Sequence, residues 1–192
     1  MPILVTGFEP FAGSALNPSQ LIVAALAESS LAENLVLAVL PVEYDQAAVK
    51  LGQLIAQHKP HTVICIGQAE GRASISIETR AQNLDDAKLA DNSGEARSGQ
   101  PISSDGETEL PTTLPVDALL EHLALAGIPA ESSTSAGTFV CNHIFYVMQQ
   151  LLADTAVRSG FIHVPLVPEQ ASEFSGKPTM PLETQVEAFT IV

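Results

Sequence analysis

The chain has 192 residues, 46% of them hydrophobic, and a formal net charge of −14 from 22 Asp and Glu against 8 Lys and Arg. That length and hydrophobic content support one sizeable core, so a single domain over residues 1–192 is expected. An acidic chain without a basic patch repels phosphate backbones, which argues against nucleic acid and against anionic membranes as partners.

Met1-Pro2-Ile3 leads straight into a strand pattern without the basic, apolar and small-residue order of a signal peptide. No apolar run reaches the roughly 20 residues that span a bilayer, and a cytoplasmic location is the expectation. The run Ile3-Leu4-Val5-Thr6, closed by Gly7, has the pattern of a buried strand. Asn17-Pro18-Ser19 then suits a helix start, with Asn17 as the cap and Pro18 in the first turn, and a helix is expected over residues 20–27. A strand over 35–42, a helix over 45–57 and a buried strand over 62–66, ended by Gly67, follow. Residues 74–78 alternate polar and apolar, as a strand at the edge of a larger sheet does. Residues 83–111 are polar and turn-rich without a lasting period, long enough to suggest a binding loop or an oligomer contact. Helices over 116–126 and 141–153, a short strand near 129–133, a last strand over 160–164 and a C-terminal helix from 182 complete the pattern. Strands alternating with helices predict an α/β fold, a three-layer α/β/α sandwich around a twisted, mostly parallel sheet.

Ligands of open α/β sheets gather beyond the carboxyl ends of the strands. Three residues with catalytic potential fall near such ends: Glu78, His163 and Cys141. Cys141 opens a helix after the Ser135-Ala136-Gly137 turn, where the macrodipole favours a thiolate and free N–H groups suit an oxyanion. A buried cysteine is as often plain packing, the reading that fits Cys65 inside its apolar strand. Both thiols are expected free in a reducing compartment. His163 alone reads as a satisfied strand histidine, but a thiol and an imidazole together are the minimum for acyl transfer. His143 is a rival base, although residues two apart on a helix face different ways. Glu78 fits the carboxylate that orients an imidazole. His58-Lys59-Pro60-His61 has a metal-like spacing but reads as a surface turn, and neither a metal site nor a cofactor is expected. Gly67 and Gly71 bracket Gln68-Ala69-Glu70 without the Lys-Ser/Thr of a phosphate loop.

Four segments in order carry a resemblance to one family. Gly7-Phe8-Glu9-Pro10-Phe11-Ala12-Gly13 with Asn17-Pro18-Ser19 resembles the N-terminal signature of pyrrolidone carboxyl peptidases, or pyroglutamyl peptidases of type I. Gly67-Gln68-Ala69-Glu70-Gly71-Arg72 with Ile77-Glu78 resembles the glutamate motif of that family. Ser135-Ala136-Gly137-Thr138-Phe139-Val140-Cys141-Asn142 resembles its cysteine motif, and Gly160-Phe161-Ile162-His163-Val164-Pro165 with Pro168-Glu169-Gln170 its histidine motif.

The resemblance implies a Cys141–His163–Glu78 triad and an enzyme, often a homotetramer, that hydrolyses the amide bond after an N-terminal pyroglutamyl residue of peptides. It also implies a lactam hole lined by Phe8, Phe11, Phe139 and Val140, with backbone groups of Phe11 and Gln68 on the ring amide and Asn17 bracing the loop. Such a pocket makes physical sense: a neutral lactam asks for an apolar slot with one donor and one acceptor. Ala12 stands where the family usually has Gly, Thr79 where Arg or Lys is common, and Lys88 and Ala90 where Arg and Pro are usual. The loop before Leu114-Pro115 looks short, as does the last helix. Those departures keep open a non-catalytic relative that binds pyroglutamyl groups without turnover. A nucleoside phosphorylase on a similar sheet is a further alternative, weakened by the lack of a basic anion cluster.

Overall fold

Apolar runs bounded by Gly or Pro become strands, and the amphipathic stretches between them become the helices that cover the sheet. In a computed structural model of the chain, residues 2–192 are described. The elements are β1 (Ile3–Phe8), α1 (Pro18–Ala27), β2 (Leu35–Leu40), α2 (Tyr44–His58), β3 (Thr62–Gln68), β4 (Ile75–Glu78), β5 (Arg80–Gln82), β6 (Glu109–Pro111), α3 (Val116–Leu125), β7 (Ala130–Ser133), α4 (Val140–Leu152), β8 (Arg158–Val164) and α5 (Leu182–Ile191). Six strands form one sheet in the order β2-β1-β3-β8-β4-β7. Its pairings are parallel except that of β4 with β8. The α/β sandwich with a mostly parallel sheet is therefore the observed architecture.

Side chains alternate across the sheet, so each strand feeds two cores. Leu4, Phe8, Val63, Cys65 and Phe161 point to one face and meet Ala47 and Leu51 of α2 and Ile144, Phe145, Met148 and Leu152 of α4. Val5, Ile64, Ile66, Ile75, Ile77, Ile162 and Val164 point to the other and meet Ile22 and Leu26 of α1, Leu119 and Leu123 of α3 and Ala188 and Phe189 of α5. Each fully buried aliphatic side chain contributes about 1.5–3 kcal/mol against the entropy of ordering the chain.

The helix starts follow local chemistry. Asn17 Oδ1 accepts from Ser19 N at 3.0 Å and from Ser19 Oγ at 2.8 Å, with Pro18 in the first turn. Such a cap is worth about 1 kcal/mol. Asn17 Nδ2 also donates to Glu9 O at 3.0 Å, tying α1 to the loop after β1.

Two expectations need correction. Residues 74–78 are not an edge: β4 lies between β8 and β7, fully buried, and the edge is β7. The polar members of the alternation, Ser76 and Glu78, are buried and turned toward the face that carries His163, not toward water. Residues 83–111 are not without structure either. β5 and β6 pair as a two-stranded sheet, Asp85 bridges Gln100, and the segment straps over α2 and α4 through polar contacts. Short strands held by side chains leave no hydrophobic period to read. β2 also ends at Leu40, and β8 begins at Arg158, both within ordinary boundary variation.

Candidate active site

Close approach of α4 to the sheet creates the site. Gly67 of β3 has no side chain, and a Cβ there would lie 2.9 Å from Cys141 Sγ and 2.8 Å from the Phe161 ring. The nucleophile candidate thus sits on the space that glycine leaves. In the β3–β8 register Gly67 is the partner of His163, so sulfur and imidazole stand over neighbouring strands on one face. On the far side of β8, Glu78 pairs with Phe161, and its Oε1 lies 2.8 Å from His163 Nδ1. The antiparallel β4 delivers this carboxylate diagonally, two residues along β8 from the imidazole. Glu78 and His163 are both buried, and an ionised carboxylate only accepts, so the ring proton belongs on Nδ1 and Nε2 is the free base.

Cys141 is in the first turn of α4, after Phe139, whose side chain makes no capping bond. Sequence position suggested a thiolate stabilised by the helix dipole. The packing opposes the dipole: burial, then the charge of Glu78, push the thiol from 9.0 up to about 12. Burial also pulls His163 below its ordinary 6.5, against the opposing pull of Glu78. Both shifts favour the uncharged forms, because separating charge away from water is costly.

The adjoining pocket is lined by Phe8, Phe11, Asn17, Val42, Gln68, Phe139, Val140 and Cys141. It gathers the six substrate-binding residues expected from the motifs together with the thiol. Phe11 and Phe139 face each other with ring centroids 6.1 Å apart, and Tyr44 meets Phe139 edge-on at 5.6 Å. The enclosed space is about 10 Å³, roughly one water molecule.

Contacts invisible to local pattern hold this arrangement. Phe8 N donates to Ser19 Oγ at 2.9 Å. Glu9 Oε1 accepts from Val42 N at 3.2 Å and Asn92 Nδ2 at 2.7 Å, fixing the phenylalanine loop to the end of β2. Gln170 Nε2 donates to Gln68 Oε1 at 3.0 Å and to Leu16 O at 3.3 Å. Asn142, next to the thiol, donates to Gln82 O and Leu84 O at 2.9 Å each and anchors the 83–111 strap. Arg72 reaches Glu78 from the loop between β3 and β4. Their only sequence signal was membership of the motifs or of the polar strap.

The rival residues go elsewhere. His143 Nδ1 lies 2.8 Å from Asp85 Oδ2, which also accepts from Arg97, and its ring stacks edge-on against Tyr44. Cys65 is buried beside Met148, and burial raises its thiol to about 12. Lys59 caps α2 in the left-handed region and His61 bonds Thr62. Among the described residues no group of three His, Cys, Asp or Glu is placed to hold a metal ion, and no helix is long and apolar enough to cross a membrane.

The profile of the pyroglutamyl peptidase family matches residues 1–192. The chain belongs to the pyroglutamyl peptidase family. A pyrrolidone-carboxylate peptidase of Vibrio vulnificus is 45% identical over 191 residues, which is 99% of this chain and 90% of the relative. That of Gloeobacter violaceus is 44% identical over 194 residues, 100% of this chain and 95% of the relative. The crystal structure of pyroglutamyl peptidase I from Bacillus amyloliquefaciens matches with a TM-score of 0.94 at 36% identity, covering 99% of this chain and 91% of that one. A mutant pyrrolidone carboxyl peptidase from Pyrococcus furiosus matches with the same TM-score and identity, covering 100% and 95%. By family the chain is thus a cysteine-type hydrolase, and the departures at Ala12 and Thr79 sit within an intact fold. Thr79 extends β4, its N and Oγ1 both bonded to Ser133 O, while Arg80 pairs with Glu109 at the surface.

Proposed function

We propose that Cys141, His163 and Glu78 hydrolyse the amide bond after an N-terminal pyroglutamyl residue, with the lactam held among Phe8, Phe11, Phe139 and Val140. The observation that carries this reading is the continuity of the apolar pocket with Cys141, since the same cavity is lined by the aromatic residues and by the thiol. An aminopeptidase pocket must neutralise an ammonium group, and among the described residues no carboxylate lines this one. Burying the charged terminus of a Gln or Glu peptide here would leave it unpaired, so the uncharged lactam is selected. Backbone groups of Phe11 and Gln68 supply the donor and acceptor for the ring amide, and Asn17 holds the Phe11 loop through Glu9 O.

The chemistry starts from the neutral pair. As Cys141 Sγ attacks the scissile carbonyl carbon, its proton passes to His163 Nε2, and first-turn N–H groups of α4 receive the oxyanion. Glu78 stabilises the imidazolium through Nδ1–H. Collapse of the tetrahedral adduct breaks the C–N bond, and His163 gives its proton to the departing amine. Water then attacks the thioester with His163 as base, releasing pyroglutamate and returning the proton to sulfur. The domain spanning residues 1–192 acts without a cofactor, in the cytoplasm, as a homo-oligomer of two or four copies.

Release of a chromogenic amine from a pyroglutamyl amide under reducing conditions tests the proposal, with prolyl and glutaminyl amides alongside and iodoacetamide as the block. Cleavage of the pyroglutamyl compound alone, abolished by iodoacetamide, is the expected result. Tight binding without cleavage would replace it with the non-catalytic reading.

A further inference from the structure

Arg72 stands behind the triad with a contact on each side of it. Its Nη1 donates to Glu78 Oε1 at 2.8 Å, and its Nη2 donates to Ser135 O at 2.9 Å, in the turn that leads into α4. The same Oε1 is the atom that His163 Nδ1 approaches at 2.8 Å. Glu78 Oε2 is buried and meets no donor among the described residues. One oxygen therefore serves both the guanidinium and the imidazole, and the second has no group to hold a charge in place.

That asymmetry has a chemical consequence. A carboxylate in an apolar interior without a cation beside it takes up a proton rather than stay charged. Protonated Glu78 would be a donor, and His163 Nδ1 would have to accept. The ring proton would then move to Nε2, the nitrogen on which the reaction depends, and the imidazole could no longer take the proton of Cys141.

We propose that Arg72 is a positioning residue that keeps Glu78 an acceptor and so fixes His163 in the Nδ1–H tautomer. This rests on the triad reading above. Arg72 also draws His163 and Cys141 down, against Glu78, so the imidazolium formed during attack stays acidic enough to protonate the leaving amine. The ionisable groups bearing on this centre are Arg72 from the β3–β4 loop, Glu78 from β4, Cys65 from β3 and Cys141 from α4. A clamp between residues 72 and 135 with no electronic role is the competing account.

Two variants separate them. Arg72→Met removes charge and both contacts, and Arg72→Lys keeps the charge while losing the fork that reaches Ser135. The tautomer is read directly from ¹⁵N-labelled histidine by NMR, with His163→Asn to assign the signal. We expect Nδ1–H in the native protein and in Arg72→Lys, and a move toward Nε2–H at neutral pH in Arg72→Met. In Arg72→Met, kcat/KM at pH 7 should fall about 10- to 100-fold, with the acid limb of its pH profile moved to higher pH because Arg72 no longer draws His163 down. Arg80→Met, which removes a surface cation paired with Glu109, should move neither readout. A folded Arg72→Met protein that keeps Nδ1–H and the native profile, whatever its rate, would overturn the proposal. Should Arg72→Met not fold, a tautomer shift in Arg72→Lys would overturn it equally, and the native tautomer there would support it. The spectrum is independent of turnover, so a native protein that cleaves nothing would sink the peptidase reading and still decide the role of Arg72.

Discussion

The two faces of the sheet are built from the same strands and do opposite things. The face under α1, α3 and α5 is almost wholly aliphatic: Ile64, Ile66, Ile75, Ile77, Ile162 and Val164 pack without a titratable group among them. The face under α2 and α4 carries Cys65, Cys141, Glu78 and His163, and it tolerates a glycine opposite the thiol. Each face has a glycine where something must come close. A side chain at Gly7 would strike the Ser19 backbone of α1, and one at Gly67 would strike Cys141 Sγ. On the first face the close approach seats a helix, and on the second it seats a reacting atom. A parallel sheet can thus devote one side to stability and spend the other on buried polar groups that cost stability.

The largest effect should come from the thiol itself. Cys141→Ser exchanges sulfur for a hydroxyl that is much harder to ionise, and kcat/KM should fall about 10³-fold or more while the urea midpoint barely moves. Near-native turnover would remove Cys141 from its assigned role. The mirror experiment lies on the quiet face. Leu123→Ala should cost about 2–5 kcal/mol of stability in a urea titration and leave kcat/KM of the folded fraction unchanged. A changed kcat/KM there would mean that the faces are not independent.

Gly67→Ala tests the junction. Its Cβ would press on Cys141 Sγ and the Phe161 ring, so about 1–3 kcal/mol of stability and about 100-fold in kcat/KM should be lost together. Loss of stability alone would show that the sulfur has room to retreat without losing its geometry.

How legible all this was depends on distance along the chain. β1, β3 and β8 were readable because their apolar runs and terminating Gly or Pro are local. The helix opened by Asn17 and Pro18 was readable for the same reason. Alternation in β4 suggests an edge because it does not say what the polar side faces, and here it faces other buried polar groups. The site motifs point to Cys141, His163, Glu78, the pocket residues and Asn17 as the brace of their loop, but not to the long-range contacts of Arg72 and Gln170. Arg72 joins Ser135 across 63 positions and Gln170 joins Gln68 across 102, pairings that no local period encodes. The desolvation of the thiol also escapes sequence reasoning, because a helix N-terminus favours a thiolate and only the packed interior reveals what opposes it.

That interior charge state gives a pH signature peculiar to the reactive face. His163 is pushed below 6.5 by burial, so on acidification the unfolded chain binds its proton first. The stability that this neutral imidazole contributes is present above about pH 6.5 and is lost as pH falls through its folded value. Cys141 and Cys65, raised from 9.0 to about 12, hold protons that the unfolded chain gives up. Their contribution is present below pH 9 and is lost as pH rises from 9 toward 12. Urea midpoints followed by circular dichroism should therefore plateau between about pH 6.5 and 9. Cys141→Ser should weaken the alkaline decline without removing it, since Cys65 remains. An alkaline limb unchanged in Cys141→Ser would mean that the Cys141 thiol is not buried enough to resist ionisation.

The smallest effect concerns the loop that closes the pocket. Ser14 N donates to Phe11 O at 3.0 Å, and the two residues between, Ala12 and Gly13, have φ of 55° and 81°. Positive φ at both central positions is the pattern of a type I′ turn, which suits Gly, Asn or Asp and strains alanine. Ala12→Gly relieves that strain but frees the unfolded chain, and at positive φ the relief outweighs the entropy. A gain of about 0.5–1 kcal/mol, or a rise in Tm of a few degrees, is expected. Because Phe11 is the first residue of the turn and forms one wall of the pocket, KM for the pyroglutamyl amide reports whether the strain is also functional. An unchanged KM with the higher Tm places the cost of Ala12 in stability alone. A higher KM would mean that the strained alanine helps hold Phe11 against Phe139, so that the reactive face draws on backbone strain as well as on buried charge.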